Sequence, residues 1–172
     1  MWAIRRFIMD KEKKVILDEY LNKVSECYTM VEQWLSEKSL FSKQIEYDLH
    51  EKESGKYVTK KLLISKNENK QIAELLPVSA WIIGANGRID LIGNFDQQIL
   101  IYLKEDIKMK GSVTTSINDD EYQKVSKSNH SLYKGFEKAG WYWIEDKRFG
   151  KARALNKDLF FDLLSEVSDY EF

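Results

Sequence analysis

The chain has 172 residues, 43% of them hydrophobic and 13% aromatic, which is enough for one buried core and excludes a disordered chain. Twenty-seven basic residues against 28 acidic ones leave a net charge of -1, so no global field draws in nucleic acid or an anionic membrane. A lone Cys27 excludes an intramolecular disulfide, and with only His50 and His130 beside it no zinc cluster, metal or cofactor is expected.

A reducing cytoplasm suits a single cysteine. The opening MWAIRRFI lacks the long apolar core of a signal peptide, and no run reaches the roughly 18 apolar residues that a spanning helix needs. No membrane association is expected. Met9 serves as a start as well as Met1, which would leave residues 1–8 a disordered leader; residues 1–10 are set apart as a leader, and a single domain is expected at 11–172.

Residues 11–38 have the period of a long amphipathic helix, with Leu17, Leu21, Val24, Tyr28, Val31 and Leu35 on one stripe and Asp10 as its N-cap. Trp34 widens that face, and packing on the chain's own sheet is preferred to a coiled coil because the pattern spans barely four heptads. Ile45, Tyr47 and Leu49 then alternate with Glu46, Asp48 and His50 as a half-exposed strand. Ser54-Gly55 turns the chain into a second strand, Tyr57 to Ser65, whose Lys60 and Lys61 suit an edge. Asn67-Glu68-Asn69 reverses into a third, and Pro77 marks a bend or an edge position there.

The densest alternation lies between Glu74 and Lys104. Trp81-Ile82-Ile83 reads as a strand entering a Gly84-Ala85-Asn86-Gly87 reversal and returning as Arg88 to Ile92. Ile89 and Leu91 face one way there, Arg88 and Asp90 the other. After Gly93-Asn94, the run Gln98 to Leu103 is apolar enough to be buried on both faces, which puts the middle of the sheet here.

From Glu105 to Asn129 the apolar signal thins, with Thr114 to Asp120 read as an exposed loop. A helix is expected next, lined by Tyr122, Val125, Leu132, Tyr133 and Phe136 and stopped by Gly140. Trp141-Tyr142-Trp143-Ile144 is a late strand, and Asn156 caps a last helix that buries Leu159, Phe160, Leu163, Leu164 and Val167. The fold class is α+β: a long N-terminal helix on a mainly antiparallel sheet, a helix before the last strand and a C-terminal helix.

Two stretches carry candidate chemistry. Asp90 on one strand and Lys104 at the end of the next resemble the core of the PD-(D/E)xK nuclease superfamily. That resemblance implies an Asp and a second acid holding a divalent metal, with the Lys stabilising negative charge on phosphate. Tyr102 stands at the second acid's position, and a phenol is a poor ligand for a hard cation. The plainer reading is a hairpin with a solvated Arg88–Asp90 pair on its outward face. Ile83 to Leu91, after the Pro77 strand, also resembles an uncharacterised bacterial α+β domain with a (V/I)GAxGR(V/I)DL hairpin, which implies a fold and a bacterial origin but no activity.

In the second stretch Trp141 and Trp143 precede Lys147, Arg148, Lys151 and Arg153. Rings that stack on bases beside cations that hold phosphates make a single-stranded nucleic-acid platform, whereas a Trp pair at period two is also what a buried strand presents. A phosphate loop, a dinucleotide fingerprint and a serine nucleophile elbow are all absent from the sequence, and Cys27 sits on a buried-looking helix face. Elimination leaves a non-catalytic protein that binds another macromolecule, as immunity proteins, antitoxins and accessory subunits do. The alternatives are a diverged nuclease using Asp90 and Lys104, or nucleic-acid binding through the 147–153 loop.

Overall fold

A computed structural model describes residues 2–106, 108–112, 127–146, 148 and 150–171, with backbone alone for 2–10, 108–112 and 127–130. Helix α1 spans Trp2–Glu37, and the strands follow as β1 Phe41–Glu51, β2 Gly55–Asn67, β3 Lys70–Ser79, β4 Arg88–Gly93 and β5 Gln97–Leu103. Next come β6 Lys108–Ser112, β7 Lys127–Ser131, β8 Gly140–Asp146 and β9 Lys151–Ala154, and α2 closes the chain at Lys157–Val167. Seven strands form one antiparallel sheet in the order β1-β2-β3-β4-β5-β8-β9, with β6 and β7 paired as a separate ribbon. The fold class is α+β, and nearly every strand lies beside its neighbour in sequence, as short reversals dictate.

Both helices bury their apolar stripes on one face of the sheet. That core joins Tyr20, Val24, Cys27, Tyr28, Val31 and Leu35 of α1 and Leu159 to Val167 of α2 to Leu62, Leu75, Ile89, Leu91, Leu100 and Trp141 of the strands. Among the described side chains of α1 the first buried one is Tyr20; Leu17 and Leu21 are partly covered, and Val15 and Ile16 are exposed. Asp10 lies inside this helix and does not cap it. In α2 the expected cap is present: Asn156 Oδ1 accepts from the Leu159 N–H at 2.9 Å. The opposite face carries a smaller cluster of Ile101, Leu103, Tyr142 and Ala152, packed by Ile82, Ala85, Tyr133 and Phe136.

Among the described residues no helix lies between β5 and β8. Leu132, Tyr133 and Phe136 follow β7 in irregular chain, and Tyr133 and Phe136 owe their burial to that second face; Tyr122, Val125 and the Thr114–Asp120 loop lie outside the described residues. Strand β2 is not an edge despite Lys60 and Lys61, because β1 covers it over its whole length.

Pro77 sits in β3, an interior strand, for a specific reason. Pairing of β2 with β3 ends at Leu62 and Leu75, where the Tyr28 hydroxyl enters between the strands, 3.0 Å from Leu75 O and 2.9 Å from Lys60 O. Alternate residues point their backbone groups to the same side, so the N–H that Pro77 lacks falls on the β2 side, past the end of the pairing. A second tyrosine fixes the start of β4. The Tyr20 hydroxyl donates to Arg88 O at 2.7 Å while its ring lies over Gly87, where a Cβ would stand 2.5 Å from a ring carbon. Gly87 also holds φ +155°, so the close approach and the backbone both require glycine. Gly87→Ala is expected to cost about 2–3 kcal/mol in urea unfolding, with Tyr20→Leu in the same background recovering part of that loss by opening space.

Candidate interaction site

The connection from β3 to β4 was expected to be a tight turn flanked by a Trp81–Ile83 strand; it is an eight-residue loop, Ala80 to Gly87. Its course is set by a carboxylate thirty residues away. Glu51, at the end of β1 and 8% exposed, accepts from Ala80 N at 3.0 Å on one oxygen and from Trp81 N at 3.2 Å on the other. The hydroxyls of Tyr57 and Ser79 donate to the same two oxygens. Four donors around one buried charge replace the water it has lost. They also take Ala80 and Trp81 out of the sheet, since amides bonded to a side chain cannot join a ladder.

The neighbouring phenols respond to this burial. Tyr57 is pushed far above the usual tyrosine range by desolvation and by its hydrogen bond to Glu51. Tyr20 is pushed up likewise, by desolvation first and by the Glu51 charge next. The Trp81 indole N–H reaches Ser54 Oγ at 3.2 Å, tying the loop to the β1–β2 turn. At the far end, Asn86 N donates to Tyr102 O at 2.8 Å, Tyr102 N to Gly87 O at 2.9 Å, and Lys104 N to Asn86 Oδ1 at 3.1 Å. Gly84, with φ +81°, passes so close to Leu132 that a Cβ would lie 2.4 Å from its side chain.

With both ends held, the tip presents Ile83 wholly to solvent. Beside it opens a cleft of about 390 Å³ lined by Ile16 and Glu19 of α1, Glu53 of the β1–β2 turn, and Trp81, Ile82 and Ile83 of the loop. Its floor is apolar and its rim carries two carboxylates, of which Glu19 pairs with Lys104 at 2.8 Å. Val15, next to Ile16 in α1, is also exposed.

The residues singled out in the sequence fall elsewhere. Asp90 is 5% exposed and clasped by Arg88, with Nε to Oδ1 and Nη2 to Oδ2 both at 2.7 Å. The pair is therefore largely buried and bidentate, not the solvated one expected, and the hydrogen bond to Asp90 holds the Arg88 guanidinium above its usual value. Asp90 stands opposite Ile99 on the second face, whereas Tyr102 packs in the helix-side core and Lys104 reaches Glu19 of α1. Asp90 and Lys104 thus lie on opposite faces of the sheet and cannot address one phosphate. Among the described residues no three acidic, His or Cys side chains cluster to hold a metal.

Trp141 is 7% exposed, with its indole N–H on Lys23 O of α1 at 3.1 Å, and Trp143 donates to Gln98 Oε1 at 2.9 Å. Both rings are committed to packing, so no stacking platform is left. Lys151 and Arg153 share Glu145, Arg153 at 3.8 Å, and Arg153 also lies 5.9 Å over the Trp143 ring. The Arg148 amide donates to Asp146 at 2.8 Å, and Lys147 lies outside the described residues. Sequence reading missed Glu51, Trp81 and Ile83 as a unit. The available signal was a run of two isoleucines and a tryptophan with no polar alternation, which a strand and an exposed loop tip share.

Among the described residues no helix is long and apolar enough to cross a membrane. No family model, no curated protein and no solved structure matches the chain.

Two outcomes are expected. Glu51→Ala leaves the Ala80 amide and the Tyr57 hydroxyl unmatched, while Trp81 N and the Ser79 hydroxyl keep each other's oxygens, and should lower stability by about 2 kcal/mol in urea titration, whereas Glu53→Ala on the cleft rim should shift it by no more than about 0.5 kcal/mol. Burial raises the Cys27 thiol from 9.0 to about 12, so its contribution to stability is complete below the first value and fades as pH climbs towards the second. Urea midpoints should fall across that window for the native chain and fall less for Cys27→Ala, and the thiol should react with disulfide reagents only as fast as the chain unfolds.

Proposed function

We propose that this protein works without catalysis, by binding another protein in the cleft between α1 and the Ala80–Gly87 loop. The observation that carries the reading is Ile83, a large apolar side chain left fully in water at the tip of a loop that a buried carboxylate holds in place. A free apolar tip of this kind is a cost to the isolated chain, offset when a partner's pocket closes over it. The rigid mount lowers the ordering entropy that binding must overcome. The matching partner surface offers a pocket for Ile83, an apolar residue for the cleft floor and a cation for Glu53. Immunity proteins, antitoxins and accessory subunits all work through such contacts. Nucleic-acid binding through the 147–153 loop is less favoured, since Lys151 and Arg153 already share Glu145.

Capture on the immobilised protein from nuclease-treated extract of its own source cells, run beside Ile83→Asp, tests the proposal. The wild type should retain one stoichiometric protein, and the substitution should weaken that retention at least about tenfold while changing stability by less than about 0.5 kcal/mol. Equal retention by both proteins would contradict the site. Recovery of nucleic acid alone would contradict the function.

A further inference from the structure

The two edges of the main sheet differ. The outer side of β9 is occupied: Ala152 N donates to Lys134 O at 2.9 Å, and Lys134 N donates to Gly150 O at 2.8 Å. The outer side of β1 has no pairing among the described residues, although β1 is an 11-residue strand that runs along β2 without a register shift. It contains no proline and no bulge, although the exposed Lys43, Glu46 and Asp48 are charges of the kind that also guard edges, and Phe41 at its start is 56% exposed.

We infer that β1 pairs antiparallel with β1 of a second copy of this chain about a two-fold axis at Ile45, joining two sheets into one. The choice of a second copy rests on the charges of the strand. Centred on Ile45, the register sets Phe41 opposite the second copy's Leu49, Lys43 opposite Tyr47 and Ile45 opposite itself on one face. On the other face Ser42 meets Asp48, which also pairs with Lys56 at 2.8 Å, and Gln44, whose amide also donates to Glu32 at 3.0 Å, meets Glu46, so each carboxylate faces a donor group and no like charges stand opposite one another. Centring on Glu46 or on Tyr47 instead would oppose two carboxylates, Glu46 with itself or Glu46 with Asp48. The same alternation keeps Phe41, Ile45, Tyr47 and Leu49 on one face, with Lys43 the charged residue among them, and polar residues on the other.

Light scattering across a concentration series should give a mass approaching twice the 20.3 kDa of one chain. Ile45→Glu places two carboxylates at the axis while facing Lys61 of β2 within its own chain, so it should return the mass to that of one chain with an unchanged circular dichroism spectrum. Ile45→Cys should form an interchain disulfide on mild oxidation, and His50→Cys should not. A wild type that stays monomeric throughout the series, a dimer indifferent to Ile45→Glu, or cross-linking at position 50 in preference to 45 would overturn the proposal. Ile45→Cys keeps the test decisive should Ile45→Glu fail to fold.

Discussion

A charge kept out of water must be surrounded by donors, and the arrangement of this molecule around the β3–β4 connection follows from that requirement at Glu51. Its two oxygens are met by two backbone amides and two hydroxyls from two parts of the chain, Tyr57 and the run Ser79 to Trp81. Donors so placed cannot also serve a ladder, so β3 ends at Ser79 and the chain must cross to β4 by a long path. That path exposes Ile83 and leaves room for a cleft against α1. A carboxylate that gives up hydration for hydrogen bonds adds little net stability, but it fixes one geometry strongly, because removing any partner leaves a polar group unmatched.

Two tyrosines of α1 translate helix position into strand geometry. Tyr28 enters where β2 and β3 part, and Tyr20 binds the carbonyl of Arg88 while lying on Gly87. Each is buried through its ring and satisfied through its hydroxyl, so the helix is held in register along the sheet as well as pressed against it. Ahead of Tyr20, α1 carries the exposed Val15 and Ile16, and Ile16 lines the cleft beside the loop tip. One helix thereby serves as core at one end and leaves apolar side chains in solvent at the other.

Local pattern revealed much of the architecture. The α1 stripe, the alternation in β1, the doubly buried β5, the late strand at Trp141 and the Asn156 cap were all readable, because each is decided by neighbours a few residues apart. The failures share a different cause. Trp81–Ile83 has the composition of a strand, and Glu51, at the end of the distant strand β1, draws it out of the sheet. Leu132, Tyr133 and Phe136 have helical spacing, yet the second face of the sheet buries the latter two as irregular chain. Asp90 and Lys104 were placed on the correct strands, but the pairing of Asp90 with Ile99 puts them on opposite faces, and no motif contains that parity. The site itself was the least legible part, since it is built from three segments whose meeting is a long-range fact.

The central claim is that the Glu51 carboxylate holds the loop that presents Ile83. Amide hydrogen exchange at Ala80 and Trp81, followed by NMR in the wild type and in Glu51→Gln, tests it most directly. The account predicts slow exchange at both amides in the wild type and a marked acceleration in the variant, confined to residues 80–87, while the amides of β4 and β5 stay protected. Fast exchange at Ala80 and Trp81 in the wild type, or protection that survives the substitution, would show that the loop is held by something else and would contradict the account.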